Sequence, residues 1–243
     1  MTAMKAYART HIGRVRQINE DAYYLPREGE NFAAVADGMG GHLAGEVASQ
    51  MAVMSFAESL REHEPSEDVL QSAIMLANID IYQAAQRDPL KHGMGTTLTA
   101  LCVDHDDAYL VHVGDSRAYL LRNRALMQLS NDHTLVNDLV ERGELTLNEA
   151  KVHPHRNVIT RALGTNARVE PDIIKLDYQP GDVWLLCSDG LSNYLKSSEL
   201  AEILMRQIPY EERLDAMVTV ALERGGGDNI TCMIILRGDG DDR

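Results

Sequence analysis

The sequence predicts an α+β fold in which antiparallel sheets are covered by helices. Helical periodicity comes in pairs of segments, strand-like runs come in groups between those pairs, and there is no regular βαβ alternation. Nothing in the 243 residues reads as a linker, an internal repeat or a low-complexity segment. One domain spanning residues 1–243 is expected, with a frayed tail over 238–243.

Short β-like runs occupy residues 5–10, 21–25 and 32–36. Two helices follow. Val47, Met51 and Met54 recur at i, i+4 and i+7, while Leu70, Ile74, Ala77 and Ile81 extend the pattern to i+11, so each helix should lay one apolar face on a sheet. Met51 and Met54 are read as core. His63-Glu64-Pro65-Ser66 separates the two. Strand patterns return at 97–103, 109–113 and 118–121, close enough together to predict an antiparallel meander. Residues 134–142 and 146–150 read as short helices, the second with a Thr146-x-x-Glu149 capping box. Strands at 173–176 and 183–187 precede helices at 199–206 and 211–223. In the latter Leu214, Met217, Val218, Ala221 and Leu222 form one stripe. Residues 230–236 close the chain as a strand.

Composition narrows the function. With 44% hydrophobic and 25% charged residues the chain is an ordinary globular protein. No apolar stretch reaches the length of a membrane span and residues 1–13 lack a signal-peptide core, so no membrane partner and a cytoplasmic location are expected. Three cysteines, Cys102, Cys187 and Cys232, lie inside apolar runs and read as buried, reduced thiols. A net charge of -14 argues against a nucleic-acid partner. No acid occurs in 1–19, 116–131 or 150–169, all of which carry arginines. Either these segments converge as a cationic rim or they are solvated basic loops; composition favours neither. With no coiled-coil seam, a monomer is expected.

Three Gly-flanked aspartates stand out: Asp37 in Ala36-Asp37-Gly38-Met39-Gly40-Gly41, Asp189 in Ser188-Asp189-Gly190, and Asp228 in Gly227-Asp228-Asn229. Each adjoins a strand-like run. Strand ends meeting at one edge would crowd three carboxylates, at least one of which must take up a proton unless a cation intervenes. Hard oxygen ligands without a Cys or His cluster favour Mg2+ or Mn2+. Taken alone, each Asp-Gly or Asp-Asn is more often a turn than a ligand.

Three further motifs join them: Arg16-Gln17-Ile18-Asn19-Glu20-Asp21, Gly93-Met94-Gly95-Thr96-Thr97 and Gly114-Asp115-Ser116-Arg117. In this order and spacing the six motifs resemble the metal-dependent serine/threonine protein phosphatases of type 2C, the PPM family, in their small bacterial stand-alone form. The resemblance covers nearly the whole chain. It implies an αββα four-layer sandwich of two antiparallel β-sheets flanked by helix pairs, with a flap near residues 144–165. It further implies two Mn2+ or Mg2+ ions. Asp37 would bridge them, the Gly38 carbonyl would bind one, and Asp189 and Asp228 would complete the other. Glu20 and Asp21 would act directly or through water, Asp115 with Asp189 would hold a weaker third ion, and Arg16 would bind phosphate.

The activity so implied is hydrolysis of phosphoserine and phosphothreonine in proteins, by in-line attack of a metal-bridging hydroxide, opposing a bacterial serine/threonine kinase. Met39 stands where some relatives have a histidine, which leaves water or His42 as the general acid. The second half of the flap carries Lys151, His153, His155, Arg156 and Arg161 without an acid, a pattern expected to guide acidic or phosphorylated substrates. His133 reads as structural. A non-catalytic regulatory module and a metal phosphodiesterase are the competing readings; the intact aspartate and arginine set opposes the first, the overall acidity the second.

Overall fold

The computed structural model describes residues 4–40 and 44–238. Strands β1 (Met4–His11), β2 (Asp21–Tyr24) and β3 (Phe32–Met39) precede two long helices, α1 (Ala44–Leu60) and α2 (Glu67–Arg87). After a 3-10 turn at Pro89–Lys91 come β4 (Gly95–Thr96), β5 (Leu98–Asp104), β6 (Asp107–Val113), β7 (Arg117–Arg122) and β8 (Ala125–Gln128). Helices α3 (Leu135–Glu141) and α4 (Leu147–Val152) lead to β9 (Asp172–Asp177) and β10 (Val183–Cys187). Then follow α5 (Asp189–Ser192), α6 (Ser197–Leu204), α7 (Tyr210–Glu223) and β11 (Ile230–Arg237).

The strands form two antiparallel sheets. One has the order β1-β11-β10-β7-β8, the other β2-β3-β5-β6-β9 with β4 on the end of β3. Central strands bury both faces, which is why their sequences are continuous apolar runs. In β11, Ile230, Cys232, Ile234 and Leu236 face a cluster built with α6 and α7, whereas the alternating Met233 and Ile235 face the opposite sheet. Ala33, Val35, Leu101 and Leu110 meet Leu120, Trp184, Leu186 and Ile235 between the sheets. On the far side, α1 and α2 cover the second sheet through Phe56, Leu70, Ile74 and Ile81. Four layers result, αββα, as the resemblance implies.

The predicted meander needs correction. Only β5 and β6 are a hairpin in one sheet; β7 pairs with β10 in the other. The chain changes sheets at Gly114, whose φ of 111° and tight approach to Thr97 (a Cβ would lie 2.4 Å from its Cγ2) suit only glycine. Short spacing therefore reflects a crossover between layers. The Met51 and Met54 core is also overturned in part. Met54 is 37% exposed and Met51 is only half-buried. The face that α1 buries is made of Ala48, Ala52, Val53, Phe56, Ala57 and Leu60. Small residues let the helix lie close to the sheet, so counting large apolar side chains picks the wrong stripe. The α2 stripe of Leu70, Ile74, Ala77 and Ile81 is buried as expected. The edge strand β8 and the single turn α5 carry too little pattern to be read from sequence. The expected frayed tail lies almost wholly outside the described residues, and none of the described helices is long and apolar enough to cross a membrane.

Candidate active site

The acidic motifs gather where strands of both sheets end. β2 and β3 pair so that Asp21 lies directly opposite Asp37, a juxtaposition of like charges that is unfavourable in itself. Asp37 lies one residue beyond the expected strand, within the end of β3, which runs on to Met39. Asp115 occupies the β6–β7 crossover, Asp189 begins α5 just after β10, and Asp228 precedes β11. Asp21, Asp37, Asp115, Asp189 and Asp228 thus converge on one edge, close enough for their charges to act on one another.

Burial governs the protonation of Asp21, Asp37, Asp115 and Asp189, and neighbouring carboxylates add to it. Burial holds Asp37 well above the ordinary carboxylate range, reinforced by Asp21, Asp189, Asp115 and Asp228. Burial likewise pushes Asp21 and Asp115 up to about 7 and Asp189 to about 6. Oδ2 of Asp21 accepts a hydrogen bond from Ser188 at 2.8 Å, while its Oδ1 is buried without a partner. Glu20 is raised by burial against the opposing influence of Arg16.

The backbone is fixed around these side chains. Asp37 donates its N–H to Thr97 Oγ1 (2.9 Å), and Thr97 is in turn bonded to Ser116 Oγ (2.8 Å) in the crossover beside Asp115. A Cβ on Gly38 would lie 2.1 Å from the carbonyl oxygen of Gly45, so glycine is what admits the start of α1 to this edge. Asn229, read from sequence only as part of a turn, is the piece that was missed. Its Nδ2 donates to the carbonyls of Ile12 and Ile18 (both 2.9 Å), and its Oδ1 accepts the N–H of Glu20 at 2.8 Å. One buried side chain therefore ties the loop bearing Arg16 and Glu20 to Asp228. The Asp-Asn pair was visible in the sequence, but partners more than 200 positions away were not.

Arg16 reaches Asp228 Oδ2 at 2.9 Å and Glu20 Oε2 at 3.5 Å, and its side chain remains 45% exposed. The three acid-free segments do not form a single rim. Arg117 is bonded to Asp132 behind the site, Arg122 to Asp182 and Arg9 to Asp215. In the flap, Lys151 and Arg156 are exposed, while Arg161 is tied to Asp172 at 3.2 Å. The capping box of Thr146 and Glu149 is present at the start of α4. His133 is buried, accepts the Gly114 N–H on Nδ1 (3.1 Å) and meets Asp172, a structural role as expected. His42 lies outside the described residues. All three cysteines are buried, and burial raises each thiol, which leaves them unreactive.

These features fit divalent cations. Buried carboxylates forced to share protons and an unpartnered buried oxygen are what a hard, multiply charged ion would relieve. No three His, Cys, Asp or Glu side chains close a cage by themselves among the described residues. Any ion here would therefore draw further ligands from backbone carbonyl and water.

The pattern of the family described as Protein phosphatase 2C matches residues 9–231. The chain belongs to this family. It is 40% identical over 242 residues to the serine/threonine phosphatase stp of Listeria monocytogenes serotype 4b, covering 96% of each chain. The structure superposes on the serine/threonine phosphatase PstP of Mycobacterium tuberculosis with a TM-score of 0.87, 41% identity and coverage of 96% of this chain and 97% of that one. It also superposes, at a TM-score of 0.84 and 40% identity, on the PstP catalytic domain in complex with two manganese ions, covering 96% of this chain and 97% of that one. As a protein phosphatase 2C, the chain is a serine/threonine protein phosphatase.

The aspartate cluster gives the protein a distinctive pH response. The folded chain holds these protons to higher pH than the unfolded chain. Between the ordinary aspartate value of 3.8 and about 7 the native state therefore binds more protons, and stability falls as pH rises. Thermal midpoints in EDTA should decline more steeply from pH 5 to 7.5 than midpoints in excess Mn2+. At a hundredfold excess over its dissociation constant, a ligand stabilises by about 2.7 kcal/mol, here roughly 5–11 °C. Parallel pH curves with and without Mn2+ would contradict the placement of cations on these carboxylates.

Proposed function

We propose that this phosphatase hydrolyses phosphoserine and phosphothreonine with two Mn2+ or Mg2+ ions held by the cluster around Asp37. The observation that carries this reading is the convergence of buried carboxylates whose protonation is forced by burial and mutual repulsion. Asp37 would bridge the two ions, Gly38 would offer its carbonyl to one, and Asp189 and Asp228 would hold the other. Glu20 and Asp21 would orient ligating water, and Asp115, close enough to Asp189 to feel its charge, would support a weaker third site. When bound, the cations lower the pKa of a shared water and neutralise charge on the phosphoryl oxygens, for displacement in line.

Arg16 would bind the phosphate. Its guanidinium is already aligned by Asp228 and Glu20, and its side chain is 45% exposed to solvent. With Met39 following Gly38, protonation of the leaving alkoxide is assigned to water rather than to His42. Cys102, Cys187 and Cys232 are too deeply buried to serve as nucleophiles. The reading extends to a monomer in the cytoplasm that opposes a serine/threonine kinase, supported by three reduced thiols and by the kind of enzyme this is.

Phosphate release from a phosphothreonine peptide, with Mn2+, Mg2+ or EDTA, tests the site. Asp37→Asn and Asp189→Asn should each lower kcat/KM by more than about a hundredfold, beyond the cost typical of outer-shell partners. Full activity in EDTA would exclude the metal mechanism, and an inert parent chain with either metal would favour a regulatory module. A second experiment addresses the flap. Lys151 and Arg156 are free to meet an acidic substrate whereas Arg161 is engaged by Asp172. Lys151→Gln with Arg156→Gln should raise KM for a phosphoprotein roughly five- to thirtyfold, at about 0.5–1 kcal/mol per exposed pair, and leave a small aryl phosphate unaffected. Equal effects on both substrates would refute a guiding role.

A further inference from the structure

The α1–α2 layer carries a surface feature that phosphate hydrolysis does not use. Two adjoining hollows of about 590 and 360 Å³ run along these helices and share Glu58. Val69, Ala73 and Leu76 line one, and Met51, Met54 and Ala84 the other. Leu76 is 52% exposed and Met54 37%, so the groove presents apolar surface to water. Ser55 Oγ donates to Asp80 Oδ2 at 2.7 Å and links the helices between the two hollows.

Charge says what would cover it. From position 44 to 87 the chain has seven acids against two arginines and no lysine. Glu58, Glu62, Asp68 and Asp80 stand on the groove itself. Arg61 is drawn towards Glu30 at 3.5 Å, and Arg87, bonded to Gln83, closes one end. An apolar floor between acidic rims, shaped by two antiparallel helices, complements a third helix with an apolar stripe and flanking lysines or arginines.

We propose that this groove docks a cationic amphipathic helix of a partner protein. The site lies apart from the chemistry. α1 has 17 residues and is about 25 Å long. Gly45, beside Glu20 and Gly38, is at the end of α1 nearest the carboxylate cluster, whereas Glu58 and Glu62 lie at or beyond the other. A docked segment would tether the phosphatase to a partner while the cleft stays open, raising the local concentration of that partner's phosphorylated sites.

The test uses the full chain saturated with Mg2+ and a fluorescein-labelled 18-residue peptide of leucine and lysine, with leucines at i, i+3 and i+4, together with a leucine and glutamate counterpart. Anisotropy should show micromolar binding of the lysine peptide and none of the glutamate peptide. Glu58→Lys with Glu62→Lys, and separately Leu76→Ser, should each weaken binding at least tenfold. Glu211→Lys with Glu212→Lys, on α7 across the molecule, should leave it unchanged, as should every variant the hydrolysis of an aryl phosphate. Three outcomes would overturn the proposal. The α7 pair could weaken binding as much as the groove pair, which would mean general acidity. Leu76→Ser could have no effect, which would mean charge without an apolar seat. Sedimentation could show self-association that Leu76→Ser abolishes, which would mean that a second copy of this chain covers the groove.

Discussion

Burial of neighbouring carboxylates, reinforced by their mutual repulsion, is the constraint on which this molecule turns. Asp21 and Asp37 face each other across a strand pair, and Asp115, Asp189 and Asp228 close in from loops that end other strands. Arg16, half in solvent, and Arg117, committed to Asp132, supply too little opposing charge. Left alone, Asp21, Asp37, Asp115 and Asp189 must hold protons at pH values where aspartates are normally ionised. A multivalent cation would remove the same conflict without protons, and in the proposed mechanism would supply the electrophilic surface that phosphoryl transfer needs. The strain of the site and its function are one property.

The rest of the fold holds that edge in place. Two sheets buried on both faces leave little freedom for their strand ends, so carboxylates from both sheets meet with fixed spacing. Asn229 and Ser188 then correct what strand geometry cannot. Asn229 binds three backbone groups between Ile12 and Glu20, and Ser188 holds one oxygen of Asp21. The Thr97–Ser116 bond does the same between β3 and the Asp115 crossover. Arg16, Glu20 and Asp228 are thereby part of one hydrogen-bonded unit, even though they come from opposite ends of the chain.

Much of this was legible in the sequence. Apolar runs adjoining Gly-flanked aspartates located β3, β10 and β11, and the ordered set of motifs, not any single Asp-Gly, picked out the aspartates at their ends. Helix α2 was legible for the same reason, since its large side chains repeat on one face. Other features depended on tertiary context. The buried face of α1 is alanine-rich, so Met51 and Met54 misled, and the β6–β7 crossover looks locally like a hairpin. Composition left open whether the acid-free segments form a cationic rim or solvated loops, and Asp172, Asp132 and Asp182 engage Arg161, Arg117 and Arg122. The role of Asn229 depends on contacts between the two ends of the chain, which no local pattern encodes.

The most direct test of the central claim is calorimetric titration of the metal-free protein with Mn2+ near pH 6.5, repeated in buffers of different ionisation enthalpy. If cations replace protons on the Asp37 cluster, about two ions should bind, with net release of protons to the buffer. Binding without proton release, or no binding at all, would contradict the account.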